Sequence, residues 1–395
     1  MAQRRSLSTA RRSETCSQGD STFSVPLVRA FAAQADTDPN EFTHGFHSYP
    51  ARLHGSLVAS LLRSFGSGRR SVLDPFCGSG TVLVEAMRHG WRSLGSDLNP
   101  LALRLARVKT QRRDAASLET FNNCLARVVA GSSRRVRERA PARAPLPREE
   151  LQWYDVHVLK ELAGLREEIS KIESKDDRCG LEMLFSAIII KFSRQKSDTS
   201  EQRVKKTIRK GLATEFFARR GLEWVERWRS FSEALPAVCH PPKIVQSDAR
   251  RLPHTLSGSY KCDLILTSPP YGGTYDYVDH HRRRYPWLAI RPKALQEGEI
   301  GARRHLARNP QGREQWEREL GQCLGAMGTL LRAEGVAVLL MGDGEIDGKR
   351  VDTQSQLSRL APRAGLRVLA MASQPRPDHR GGNPRREHLI ALVKD

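Results

Sequence analysis

Residues 71–81 read SVLDPFCGSGT, and the fold can be worked outward from the way this stretch has to bend. Val72 and Leu73 form a short apolar run suited to a buried strand, and Asp74-Pro75 ends it. Gly78 and Gly80 allow a tight turn and a close approach of the backbone to a ligand. From Thr81 to about His89 the pattern predicts a helix. Strand, glycine turn and helix in that order predict an α/β fold with a ligand at the strand's carboxyl end. Two familiar turns are excluded. A dinucleotide turn needs G-x-G-x-x-G, but the third position after Gly80 is Leu83, and the Gly-Lys-Ser/Thr of a Walker loop is missing. Trp91–Pro100, WRSLGSDLNP, predicts a second strand ending in Asp97. Asp97 lies 17 residues after Gly80, near the spacing that sets a carboxylate against ribose hydroxyls. Capping a helix that starts at Asn99-Pro100 is its other use.

A second stretch carries the chemistry. In Asp263–Tyr271, DLILTSPPY, Leu264–Leu266 predict a buried strand that two prolines stop. The prolines make a rigid loop that presents a hydroxyl (Ser268), free carbonyls and an aromatic ring (Tyr271). These groups suit methylation of an exocyclic amino group on a nucleobase, whose lone pair is conjugated into the ring. Acceptors such as the Ser268 side chain and the Pro269 carbonyl would hold its N–H bonds and bend it out of plane. Tyr271 would offer a face to a base swung out of the stack. A strand-ending turn with a packing tyrosine is the plainer use of the same residues.

Composition narrows the partners. The 395 residues carry a net charge of +21, which points to a polyanion, with nucleic acid ahead of an anionic membrane surface. No apolar run approaches the roughly 18 residues of a spanning helix. The seven cysteines are scattered without a CxxC pair, which fits a reducing cytoplasm and gives no metal site.

DPFCGSGT closely resembles motif I of S-adenosylmethionine-dependent methyltransferases, and TSPPY resembles the catalytic motif of the amino DNA methyltransferases. Its Ser-Pro-Pro-Tyr form looks like the cytosine-N4 branch, whereas adenine-N6 enzymes more often carry Asp in place of Ser268. The resemblance implies an α/β, Rossmann-like class I methyltransferase sheet that is mixed and closes with a C-terminal antiparallel hairpin. It implies S-adenosylmethionine as cofactor. Asp74 would face the cofactor's amino group, Phe76 would flank it, and Gly78 to Gly80 would border its methionine part. HSYPARL (47–53) resembles the segment closing the methionine end, which places His47, Tyr49, Pro50 and Arg52 near the site. Asp248, in KIVQSDARRL, matches the third cofactor motif and would accept from the adenine amino group; a turn carboxylate is the alternative. The catalytic set implied is Ser268, Pro269, Pro270 and Tyr271. No Pro-Cys pair is present, which weighs against carbon-5 cytosine chemistry.

The catalytic domain is expected at 41–111 and 241–395, after a basic segment, 1–40, expected to be disordered at its start and carrying Arg4, Arg5, Arg11 and Arg12. A helix is predicted from Pro50. Residues 112–240 are expected to form an inserted helical, basic domain. Its stripe of Val158, Leu162, Leu165, Ile169 and Ile172 has helical spacing, and a basic Ala/Pro linker is expected between Arg127 and Arg148. Lys191–Gly211 carries eight cations against two anions. Lys196, Arg203, Lys205 and Lys206, with Tyr275, Arg282 and Arg283 beyond the Pro-Pro corner, are the candidate nucleic-acid contacts. A helix over 316–331 and strands at 335–342, 366–372 and 388–393 close the chain. The partner expected is DNA, with RNA an alternative, and a restriction endonuclease partner is left open. A basic binding protein with a relic cofactor pocket is the reading of another class.

Overall fold

The protein is described by a computed structural model over residues 15–376 and 385–395, apart from positions 36, 67, 69, 70, 199, 258, 307, 308 and 347 and the side chain of residue 201. The arginines at positions 4, 5, 11 and 12 lie outside the described residues. The described strands are β1 (Cys16–Gly19), β2 (Ser71–Asp74), β3 (Arg92–Asp97), β4 (Gln195–Ser197), β5 (Ser200–Arg203), β6 (Lys243–Gln246), β7 (Cys262–Thr267), β8 (Leu331–Gly342), β9 (Gly344–Ile346), β10 (Lys349–Val351), β11 (Leu366–Arg376) and β12 (Arg385–Lys394). One sheet takes eight of them in the order β1-β11-β12-β8-β7-β2-β3-β6. From β6 to β8 the pairings are parallel. β12 is antiparallel to both β8 and β11, and β1 is antiparallel to β11. The chain grows from β2 outward through β3 and β6, then returns to the other side through β7 and β8. The reversal lies between β2 and β7, where an open α/β sheet leaves a crevice beyond its carboxyl ends.

Alternation along the strands builds two cores. Val72, Leu264, Leu266, Val336 and Val338 pack under the helices Ser21–Ala32, Gly55–Ser64 and Thr81–Arg88. Leu73, Ile265, Ala337 and Leu339 face the helices Gly312–Leu330 and Thr353–Arg363. Each fully buried Leu, Ile or Val removes enough apolar area to contribute about 1.5–3 kcal/mol. A slip of one residue in any of these strands would turn that set outward.

Two local expectations are corrected. Within the amino-terminal segment, β1 pairs with β11, and the Ser21–Ala32 helix is capped by Asp20, which accepts from Thr22 N at 2.8 Å. No helix starts at Pro50. Ala51 sits at φ 52°, outside the helical region, and the helix begins at Gly55 with His54 as its cap. The expected linker after Arg127 is helix as far as Glu138. Its buried Val128 and Ser132, and Arg135 bonded to Glu168 at 2.6 Å, hold it against the neighbouring helix.

Between the sheet halves, Ala115–Glu138, Val156–Ser170, Lys175–Phe192 and Leu212–Glu233 are helices, with β4 and β5 forming a small hairpin. The stripe from Val158 to Ile172 is buried. This bundle shares its core with Leu101, Leu105 and Val108 of the sheet's own Pro100–Lys109 helix, and with Trp287, Leu288 and Ile290 after the Pro-Pro corner. None of the helices among the described residues is long and apolar enough to cross a membrane.

Candidate active site

The ends of β2 and β7 are fastened side by side. At their starts, Asp263 Oδ2 accepts from Ser71 N at 3.0 Å and from Ser71 Oγ at 2.7 Å. At their carboxyl ends, Thr267 Oγ1 donates to Asp74 Oδ1 at 2.6 Å, and Phe76 N donates to the same oxygen at 3.1 Å. The glycine turn and the Pro-Pro corner therefore open onto one cavity. Its empty volume, open mouth included, is about 840 Å³. Asp74, Phe76, Gly78, Asp97, Tyr49, Pro50, Ser268 and Pro270 all line it.

Asp97 ties the turn to β3. Its Oδ2 accepts from Gly78 N at 2.9 Å and its Oδ1 from Asn99 N at 2.8 Å. Gly78 has φ +48°, and a Cβ there would lie 3.0 Å from the Tyr49 ring; Gly80, at φ +83°, would press a Cβ to 2.9 Å from Ala106 Cβ. Both carboxylates gain proton affinity from their position. Burial raises Asp74 to about 7 against the bonds from Thr267 and Phe76, and raises Asp97 to about 6 against its backbone bonds. Behind the turn, Lys109 is 1% exposed and donates to Ser79 Oγ at 3.3 Å.

Asp248 stands apart. Its carboxylate takes Arg250 bidentately, Oδ1 accepting from Nε at 2.9 Å and Oδ2 from Nη2 at 2.6 Å, and caps the following turn. Its neighbours Ser247 and Ala249 line the cavity instead. His47 is buried and bonded to Ser186 Oγ at 3.0 Å, whereas Arg52 reaches the cavity. Tyr277 and Glu299 also line it. Tyr277 belongs to the YDY run; nothing local in the sequence marks Glu299, which reaches the site by accepting from Tyr277 N at 2.5 Å.

Tyr271 corrects the expectation of an open stacking face. It is 5% exposed and packs in the core with Met341 and Trp316. Its hydroxyl donates to Glu387 Oε1 at 3.1 Å, and the Arg376 guanidinium lies 5.2 Å from its ring centre. The two prolines aim Ser268 and Pro270 at the cavity, bury Pro269, and send the next side chain back onto the sheet. Tyr275 lies 5.7 Å from Tyr277, ring to ring, and accepts from Arg376 at 3.2 Å.

The candidate phosphate contacts divide. Lys196, Arg203, Lys205 and Arg282 are exposed. Arg203 also lies over the Trp153 ring at 4.9 Å. Lys206 is turned inward, its ammonium shared among the carbonyls of Ile190, Lys191 and Gln195 at 2.6–3.2 Å. Arg283 is 4% exposed and bonded to Glu150 at 2.6 Å. The carbonyl bonds of the half-buried Lys206 and the burial of Arg283 turn both from the surface that a nucleic acid would meet.

Comparison with known proteins bears on the same part of the chain. Residues 46–142 match the family model described as UPF0020, RMKL-like, methyltransferase domain. The eight-stranded mixed sheet is the Rossmann-like α/β fold of class I methyltransferases. The Type II methyltransferase M.MjaII of Methanocaldococcus jannaschii is 33% identical over 97 residues, which are 25% of this chain and 18% of that protein. The Type II methyltransferase M.BsoBI of Geobacillus stearothermophilus is 22% identical over 306 residues, 70% of this chain and 57% of that one. The chain thus spans less than two thirds of either relative. Among solved structures, an rRNA methyltransferase, aviRa, of Streptomyces viridochromogenes is similar at 16% identity and a TM-score of 0.33, with 88% of each chain covered.

S-adenosylmethionine is the cofactor that this fold and glycine turn take, and the lining of the cavity fits it. Asp97 is placed to accept from hydroxyls. The N-terminus of the Thr81–Arg88 helix faces the turn, and the buried Thr81 hydroxyl has no partner among the described residues. That end suits the carboxylate of the methionine part. Phe76 and Ile300 supply apolar walls.

Proposed function

We propose that the chain transfers a methyl group from S-adenosylmethionine to an exocyclic amino group of a base in DNA, with N4 of cytosine preferred over N6 of adenine. One observation carries this reading: Ser268 lines the same cavity as Gly78 of the glycine turn and Asp97. When bound, the cofactor supplies a sulfonium methyl, whose carbon–sulfur bond breaks as the nitrogen–carbon bond forms. The protein supplies position and polarisation. Ser268 accepts an N–H of the amino group and turns its lone pair out of the base plane. Asp97, Thr81 and the glycine turn hold the donor. Tyr277 replaces Tyr271 as the face on which an extruded base stacks.

The preference for cytosine rests on Ser268 standing where adenine enzymes more often have Asp. The preference for DNA rests on the resemblance of TSPPY to amino DNA methyltransferases, on the net charge of +21, and on the relatives named as Type II methyltransferases. Full-length protein incubated with methyl-labelled donor, in separate reactions with duplex DNA and with RNA, tests it. Label entering DNA supports the reading. Label entering RNA alone moves the same chemistry to RNA, and label in neither leaves a binding protein with a relic pocket.

A further inference from the structure

We propose that Lys109 is a positioning residue for the methyl donor: acting through Ser79, it makes the cavity end at Thr81 a seat for the donor's carboxylate. This rests on the donor named in the reading above. Lys109 closes the Pro100–Lys109 helix and is 1% exposed. Gly80 lets the turn press onto that helix, since a Cβ there would meet Ala106 Cβ at 2.9 Å. Ala106 and Lys109 share a helical face. The ammonium thus reaches Ser79 Oγ, to which it donates at 3.3 Å, and it makes no salt bridge among the described residues. Glu85 acts on it by charge, but the Glu85 oxygens are taken by His44 Nε2 and Arg88 Nη1, each at 2.7 Å. A buried ammonium with one hydroxyl for partner is costly, and a nearby anion offsets that cost.

The cavity side of the turn shows where such an anion would sit. An ammonium only donates, so Ser79 Oγ is the acceptor in its bond and the Ser79 O–H is left to donate elsewhere. No acceptor for it is present among the described residues. Ser79 and Thr81 both line the cavity, and Thr81, 4% exposed, has a hydroxyl without a partner among the described residues. Both stand at the start of the eight-residue Thr81–Arg88 helix, whose N-cap, Gly80, brings no side chain to cap it. Its first N–H groups and the positive end of its dipole are left for a ligand. Arg52 also lines the cavity, but its two Nη groups are given to the carbonyls of Pro39 and His44. The donor has one anionic group. Its sulfonium and amino groups are cations and its adenosine is neutral, so the carboxylate of the methionine part is what these donors fit.

Calorimetry with two probes reads this seat without turnover: S-adenosylhomocysteine, which carries the carboxylate, and its decarboxylated analogue, which does not. In full-length Lys109→Met and in Ser79→Ala, affinity for S-adenosylhomocysteine is expected to fall about 10–100-fold, the scale of a hydrogen bond to a charged group. Affinity for the decarboxylated analogue should stay within about twofold. The double variant should bind little more weakly than Lys109→Met alone, because the two residues act as one unit. Lys109→Met removes a buried charge and is expected to melt no lower than the wild type; Ser79→Ala, which deletes a single hydroxyl, carries the test if that variant does not fold. Equal losses for the two probes would make Lys109 a support of the turn alone, and unchanged affinities would give it no part. Either result overturns the proposal while leaving the methyl-transfer reading standing. A wild-type protein that binds S-adenosylhomocysteine but methylates no nucleic acid overturns that reading and leaves the seat, whereas one that binds neither probe overturns both.

Discussion

At Asp74 the needs of the fold and of the site diverge. Its side chain is 2% exposed and its proton affinity is raised from about 3.8 to about 7 by burial. Between those values the folded state holds the proton more firmly than the unfolded state does, so stability falls as pH rises through about 7. Asp74→Asn keeps an oxygen for Thr267 and Phe76 and removes the charge. It is expected to raise stability at about pH 8 by on the order of 1–3 kcal/mol, taking roughly 1.4 kcal/mol for each pH unit between the two values as an upper bound. The gain should fade towards about pH 5, as melting curves across pH would show, while calorimetry shows weaker donor binding. Ser268→Ala is expected to do the reverse, cutting methyl transfer by about 100-fold or more with donor affinity nearly unchanged. The two residues also mark how far the sequence was legible. Asp74 and Asp97 end their strands, and Gly78 and Ser268 follow in the turns beyond, so their place at the cavity could be read locally. The direction of the Tyr271 ring could not, because its partner Glu387 lies 116 residues away.

Among the elements, the strands of the parallel half announced themselves through apolar runs closed by Asp, Pro or Gly. β1 gave no such signal. CSQG is exposed along its length, and only its pairing to β11 makes it a strand. The helix through Arg134 to Glu138 was hidden in a basic run in which Arg135 is answered by Glu167 and Glu168 on the next helix. The glycine turn is the element with least tolerance. Gly80→Ala combines a left-handed φ of +83° with a Cβ 2.9 Å from Ala106 Cβ. It is expected to cost about 2–4 kcal/mol, from strain and overpacking together. A melting temperature equal to that of the wild type would show that the turn is not as tight as described.

Over the whole molecule, the proposed hold on DNA falls to the positive charge and to the bundle between the sheet halves. Each phosphate contact adds about 0.9 to the slope of log affinity against log salt for duplex DNA. Removing Lys196, Arg203 and Lys205 together should lower that slope by up to about 3, with little effect on melting. Arg283→Ala should instead destabilise the fold, since it leaves the buried Glu150 without its closest partner. The central claim is that one cavity brings a methyl donor and an extruded base amino group together at Ser268. Its most direct test is mass spectrometry of nucleosides from duplex DNA exposed to the full chain and isotope-labelled S-adenosylmethionine. Labelled N4-methylcytosine is expected, and it should be absent with Ser268→Ala. Labelled 5-methylcytosine, or unmodified DNA and RNA from a protein that binds the donor, would contradict it.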